Sequence, residues 1–217
     1  MIVHHFEDQH SLLNQYMAEI RDEVIQKDRM RFRRNIQRIG EILGYELSKS
    51  LEYKNKTVKT PFGKKDISIP SDQFVLCSVL RAGLPLHQGL LNYFDHAENA
   101  FISAYRHHPE GGDAFEVIVK YFAAPDLNNK ILILTDPMLA TGKTLENVLK
   151  ALKEHGKPKQ IHIISVIGSR PGVQHVSTVF PKNTHLWISA IDEQLTSKGY
   201  IIPGLGDAGD LAYGIKL

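Results

Sequence analysis

Apolar positions recur every three or four residues along the first part of the chain, the spacing of amphipathic helices. Leu12, Leu13, Tyr16, Met17, Ile20, Val24 and Ile25 form one set, and Phe32, Ile36, Ile39, Ile42, Leu43 and Leu47 a second. Gly40 and Gly44 interrupt the second set, and glycine weakens a helix interior. Between Thr57 and Pro70 the period changes. Val58, Thr60, Phe62, Ile67 and Ile69 flank Gly63-Lys64-Lys65, which predicts a hairpin turning at that glycine. From Phe74 onward short apolar runs alternate with helical patterns. Strands are expected at 74–80, 100–105, 115–121, 131–134, 161–167 and 185–191, and helices at 84–94 and 144–154, the latter stopped by Gly156 and Pro158. Arg170-Pro171-Gly172 opens another short helix. This alternation predicts an α/β fold, a mostly parallel sheet flanked by helices. The last segment carries Gly199, Pro203, Gly204, Gly206, Gly209 and Gly214. It reads as a long structured loop, a feature that is often functional in a compact domain.

Composition narrows the class. The chain has 217 residues, 42% hydrophobic and 23% charged, as in ordinary globular domains, so disorder and repeat architectures are excluded. Lys plus Arg number 26 against 24 Asp plus Glu, too even a balance for a bulk nucleic-acid binder. The single cysteine, Cys77, removes an intramolecular disulfide and a multi-cysteine zinc site, and its apolar strand makes it an inert core residue. The polar start, Met1 to His10, lacks the apolar stretch of a signal peptide. No apolar run approaches the roughly 20 residues of a membrane span, so a cytoplasmic protein without membrane contact is expected. His4-His5 and His107-His108 lack metal-ligand spacing and read as surface residues. Arg29, Arg31, Arg33, Arg34 and Arg38 read as a solvated or subunit-contact face.

The clearest chemical signal is the run Ile131-Leu132-Ile133-Leu134-Thr135-Asp136-Pro137-Met138-Leu139-Ala140-Thr141-Gly142-Lys143-Thr144. An apolar strand ends in an acid, and a short loop of small and hydroxylated residues leads into a helix. Backbone N–H groups at a helix start, with the Thr141 and Thr144 hydroxyls, suit a phosphate. Asp136 lies at the ligand-binding rim of an open α/β sheet, where its carboxylate can accept bonds from sugar hydroxyls. Gly142-Lys143-Thr144 is set aside as a nucleotide-triphosphate P-loop, and a nucleotide kinase, which ATP hydrolysis would reveal, is kept as the remoter alternative. The P-loop motif needs a glycine where this chain has Pro137, which has no N–H to offer.

Residues 135–142 closely resemble the phosphoribosyl pyrophosphate (PRPP) loop of the uracil phosphoribosyltransferases. Leu80-Arg81-Ala82-Gly83-Leu84 is similar to that family's pyrophosphate-binding loop, and Tyr105-Arg106 to its second arginine motif. Gly199-Tyr200-Ile201-Ile202-Pro203-Gly204-Leu205-Gly206-Asp207-Ala208-Gly209-Asp210 is similar to its uracil-binding loop nearly letter for letter. Arg31-Phe32-Arg33 and Gly44-Tyr45-Glu46 resemble its N-terminal arm, so the likeness spans almost the whole chain in order.

The resemblance implies a type I phosphoribosyltransferase fold in a single domain over 1–217: a helical arm (1–55), a core (56–198), and a uracil-binding loop or hood with the C-terminus (199–217). It implies conversion of uracil and PRPP to UMP and diphosphate in pyrimidine salvage, in a homodimer or higher homo-oligomer. By the same resemblance Mg²⁺ is carried in with PRPP. Arg81 and Arg106 are the implied PRPP arginines, and Asp136, Pro137, Met138, Leu139, Ala140, Thr141, Gly142, Lys143 and Thr144 the cradle of the ribose and its 5′-phosphate. Ile201, Gly206 and Ala208 are the implied uracil contacts, chiefly through main-chain groups, and Asp207 the acid facing PRPP. Asp136, Arg81 and Asp207 are the implied catalytic set.

Three departures stand out: Lys143 where the family usually has a second glycine, Pro85-Leu86-His87-Gln88 after the arginine loop, and Leu211-Ala212-Tyr213-Gly214-Ile215 at the end. The alternative carried beside the enzyme is a uracil-nucleotide-sensing, RNA-binding regulator on the same fold, favoured slightly by the basic helix. Detectable turnover separates the two.

Overall fold

The computed structural model describes residues 1–107 and 116–216. The two N-terminal periodic sets form α1 (Leu12–Arg21) and α2 (Arg29–Ser48). Ser11 caps α1 through a reciprocal exchange with Asn14, and the Asp28 carboxylate accepts from the Arg31 N–H at 3.0 Å to cap α2. Gly40 and Gly44 do not break α2, because both serve packing. A Cβ on Gly40 would stand 2.7 Å from the Leu86 carbonyl oxygen, and one on Gly89 would stand 2.1 Å from that of Gln37. These small residues let α2 lie directly on α3 (Leu84–Leu91).

Strand β1 (Ile2–His5) is one the periodicity misses, since its side chains are largely exposed and two are histidine. β2 (Tyr53–Thr60) and β3 (Gly63–Pro70) form the hairpin. Its turn is Pro61-Phe62, with Thr60 paired to Gly63, so Gly63-Lys64-Lys65 begins the second strand instead of making the turn. β4 (Phe74–Leu80), β5 (Glu98–His107), β6 (Glu116–Ala123), β7 (Ile131–Thr135), the short β8 (Met138–Leu139), β9 (Gln160–Ser169) and β10 (His185–Asp192) complete the main sheet. The expected strand over 115–121 is β6, and residue 115 lies outside the described residues, as does His108. Helix α3 stops at Leu91 instead of Phe94. Helices α4 (Lys143–Leu152) and α5 (Arg170–Val179) follow β8 and β9.

The sheet order is β1-β10-β9-β7-β4-β5-β6, with β8 beside β9. All pairs are parallel except β5–β6. Residues alternate between faces. Leu76, Ile131, Ile133 and Ile164 pack with α1, α2 and α3, whereas Cys77, Leu132, Leu134 and Ile163 pack with α4 and α5. Helices therefore cover both faces, and the helical arm shares one core with the sheet. Burial pushes the Cys77 thiol up to about 12, which leaves it protonated and inert.

At the β1 edge, His4 stacks on Trp187 with ring centroids 3.7 Å apart, and the Trp187 indole N–H donates to His162 Nδ1 at 3.0 Å. The final segment is more than a loop: β11 (Gln194–Leu195) pairs β12 (Ile201–Ile202), and α6 spans Ala208–Tyr213.

Candidate active site at the carboxyl ends of the strands

Asp136 follows β7 directly and is half-buried. Its Oδ1 accepts from the Met138 N–H at 3.2 Å, and its own N–H donates to the Ile164 carbonyl at 3.2 Å. The next carbonyls are tied to β9 and its end. Asp136 C=O accepts from Ser165 Oγ, Pro137 C=O from the Val166 and Ile167 N–H groups, and Ala140 C=O from Ser169 Oγ at 2.6 Å. Residues 136–140 are thereby laced to a buried strand, which gives the loop one shape.

Gly142 starts α4 with φ of 77°, where an L side chain would be strained, and it offers no side-chain cap. Of the loop's threonine hydroxyls, Thr141 Oγ1 accepts a long bond from the Lys143 N–H at 3.4 Å. Helix α4 begins at Lys143, one residue earlier than its apolar pattern indicates; Lys143 is exposed and Thr144 half-buried.

The arginine loop leaves β4 through a cis Leu80–Arg81 peptide. Gly83, at the start of α3, fits only without a side chain: a Cβ there would stand 2.6 Å from the Val79 carbonyl oxygen and 3.2 Å from that of Thr135. The loop thus lies against the residue that precedes Asp136. On its other side Arg81 Nη2 donates to Asp210 Oδ1 and to the Gly214 carbonyl, each at 3.1 Å.

Two groups hold the glycine-rich segment. Arg21 grips Asp192 with both terminal nitrogens, at 2.8 and 2.9 Å, and also donates to the Gly204 carbonyl at 3.2 Å. The Gly204 N–H donates to Asp192 Oδ2 at 2.8 Å. Burial alone would raise the Asp192 carboxyl, but Arg21 and the Gly204 N–H outweigh it and hold its pKa below the ordinary value. Gly204 itself has φ of 61°, and a Cβ would stand 2.1 Å from the Ile201 carbonyl oxygen.

Asp207 caps α6, its Oδ1 accepting from the Asp210 N–H at 2.9 Å and its Oδ2 from Lys216 Nζ at 3.3 Å. Burial opposes ionisation there, yet the Asp210 N–H and Lys216 prevail and lower its pKa, so Asp207 is a carboxylate at neutral pH. The Ile201 and Ala208 side chains are buried, whereas Gly206 is exposed.

The structure therefore brings Arg81 to Asp210 and Gly214, on and just after the helix that Asp207 caps, while Gly83 of the same loop lies against Thr135, the residue before Asp136. Arg106 continues β5 and pairs with Val117; its side chain lies outside the described residues. The Arg21–Asp192 clamp was not anticipated from sequence, since its partners are 171 residues apart. The basic stretch is largely engaged within the chain. Arg31 pairs with Glu19, Arg33 donates to the Ala212 carbonyl at 2.7 Å, and Arg38 lies over the Tyr16 ring.

A family model described as uracil phosphoribosyltransferase matches residues 7–215. The chain belongs to the uracil phosphoribosyltransferase family. It is 52% identical over 217 residues to a uracil phosphoribosyltransferase of Porphyromonas gingivalis, covering all of both chains. To a uracil phosphoribosyltransferase of Thermococcus gammatolerans it is 36% identical over 220 residues, covering 99% of this chain and 94% of the relative. The solved structure of the AQ2163 protein from Aquifex aeolicus superposes with a TM-score of 0.87 at 30% identity, covering 99% of this chain and 100% of that one. The mostly parallel sheet with helices on both faces is the type I phosphoribosyltransferase architecture that the sequence resemblance implies. The relatives give the RNA-binding regulator no support.

Proposed function

We propose that this family member transfers the phosphoribosyl group of PRPP to uracil, forming UMP and diphosphate as a salvage step. The observation that carries the reading is the contact of Arg81 with Asp210 and Gly214, which joins the arginine loop to the glycine-rich segment. In the reaction the bond from C1′ of the ribose to the diphosphate oxygen breaks, uracil N1 bonds to C1′, and the N1 proton passes to solvent or to the departing diphosphate. C1′ gains positive charge on the way, as in glycoside chemistry.

Each residue then has a task. Arg81, with Arg106, neutralises the departing diphosphate, for which a guanidinium fork is suited. Asp136 accepts from the ribose hydroxyls. Residues 137–144 surround the 5′-phosphate at the start of α4. Asp207, ionised, faces the reacting end of PRPP. Main-chain groups at Ile201, Gly206 and Ala208 read the uracil edge, and fixed donors and acceptors reject cytosine because its exchanged groups would leave a buried partner unpaired.

Among the described residues no three His, Cys, Asp or Glu side chains are grouped as a metal cage. The carboxylates of Asp136, which follows β7, and of Asp207, which caps α6, are oxygen donors of the kind that suits a hard ion ligated mainly by phosphate oxygens and water. Mg²⁺ bound with PRPP would supply charge neutralisation of the diphosphate. Among the described residues no helix is long and apolar enough to cross a membrane, which fits the proposed cytoplasmic setting. Association into a homodimer or larger homo-oligomer belongs to the same reading and is supported by the exposed β2–β3 hairpin with Phe62 at its tip. The helical arm (1–55) and the loop (199–217) are proposed to serve the core (56–198).

Labelled uracil with and without PRPP tests the reading. UMP should form only with PRPP, with cytosine, hypoxanthine and adenine far poorer acceptors. Comparable turnover of hypoxanthine and uracil would overturn it.

A further inference from the structure

Beneath the arginine loop runs a hydrogen-bonded chain of side chains. Thr135 Oγ1 and Ser78 Oγ are 2.5 Å apart, Ser78 Oγ and His87 Nδ1 2.7 Å, and His87 Nε2 and Asn99 Oδ1 2.7 Å. Thr135, Ser78 and His87 are buried, and Asn99 reaches the surface.

The geometry fixes the direction of every bond in the chain. Asn99 Nδ2 donates to the Ala97 carbonyl at 3.1 Å, so its Oδ1 faces the imidazole. That oxygen only accepts, so the His87 proton sits on Nε2 and Nδ1 is the acceptor. Ser78 therefore gives its proton to His87, and Thr135, whose other acceptor, the Cys77 carbonyl, lies 3.5 Å away, gives its own to Ser78. The imidazole must be neutral for this, and burial, opposed by the Asn99 bond, does lower its pKa.

The placement of the four residues is what matters. Ser78 lies on β4 three positions before Arg81, and Thr135 ends β7 immediately before Asp136. His87 is on α3, the helix that follows the arginine loop, and Asn99 is on β5. The chain thus bridges the element before the loop, the element after it, and the strand that presents Asp136. The Gly83 contact with the Thr135 carbonyl closes the same junction from the backbone side.

We propose that His87 is a positioning residue for the transfer: through Ser78 and Thr135 it sets the arginine loop against Asp136, so that diphosphate and ribose are held in mutual register. The inference rests on the uracil phosphoribosyltransferase reading. It predicts a defect mainly on the PRPP side, since the uracil loop keeps its own clamp at Arg21 and Asp192 besides its contact with Arg81.

The test compares His87→Leu, which removes the acceptor, with His87→Asn, whose amide oxygen can occupy the Nδ1 position. In His87→Leu, kcat/KM for PRPP should fall at least about tenfold while KM for uracil stays within about twofold. His87→Asn should recover most of the loss. Adding Ser78→Ala to His87→Leu should cost little more, as expected for members of one network. Wild-type PRPP kinetics in His87→Leu, an equal rise in KM for uracil, or no recovery in His87→Asn would overturn the proposal. Should His87→Leu not fold, Ser78→Ala alone carries the test: a PRPP-selective loss supports the proposal, and unchanged PRPP kinetics sinks it. A wild-type chain that makes no UMP overturns the functional reading itself; an active wild type with an unimpaired His87→Leu overturns only this inference.

Discussion

Arg81 donates to the carboxylate of Asp210 across 129 residues of sequence, at 3.1 Å. In the proposed reaction the guanidinium would exchange this carboxylate of its own chain for the diphosphate of the substrate. Arg81→Lys keeps the charge but loses the planar fork. KM for PRPP should rise by about tenfold, roughly 1.4 kcal/mol of lost binding. Initial rates against each substrate check this, and a loss confined to uracil would show that Arg81 serves only to tie the two loops.

Asp136→Asn preserves size and the acceptor for the Met138 N–H but removes the charge at the strand end. A drop of at least about tenfold in kcat/KM for PRPP is expected. Wild-type kinetics in a folded variant would make Asp136 a loop-shaping residue alone.

Lys143 is exposed on the first turn of α4. A cation there opposes the helix dipole by about 0.3–1 kcal/mol, a penalty that a bound dianionic phosphate can offset. Lys143→Gly should raise KM for PRPP and flatten its dependence on salt, with thermal stability hardly changed. If both PRPP measurements stay at wild-type values, the backbone alone holds the phosphate.

The Asp192 carboxyl has its pKa held below the ordinary value, so its ion pair with Arg21 is fully present above the ordinary carboxylate pKa, about 4. It is lost as pH falls through the folded value. KM for uracil should therefore climb below about pH 4, in measurements kept short of global acid unfolding. In Asp192→Asn, KM for uracil should be raised already at neutral pH and its rise in acid should vanish. The variant should lose about 1–3 kcal/mol of stability, because the amide keeps one acceptor oxygen for three donors and sets an NH2 group against one of them. A normal KM for uracil at neutral pH would separate the clamp from base binding.

The order of strands and helices was legible because buried parallel strands are short apolar runs and helices carry a clean period. Ile131–Thr135 and Phe74–Leu80 are examples. β1 escaped because an edge strand with exposed histidines has no such contrast, and its partner β10 is remote in sequence. The hairpin turn was misplaced because Gly63 outweighed Pro61-Phe62. Glycine density hid α6, whose buried Ala208, Gly209 and Ala212 seat it in the core. The arginine, phosphate and base loops were visible as contiguous strings. The Arg21–Asp192 clamp and the Ser78–His87 link were not, since their members are ordinary residues made significant only by tertiary contact.

The stack at the sheet edge has an optical consequence. Trp187 is the sole tryptophan, and its indole lies under the His4 ring and donates to His162. Burial, with repulsion from His185 and His4, pushes His162 down to about 3, and burial with His185 also lowers His4. Both imidazoles are thus uncharged at neutral pH, and imidazolium quenching of the fluorophore is switched off. Emission from this one chromophore therefore registers whether the first strand is seated on the sheet, without any attached label.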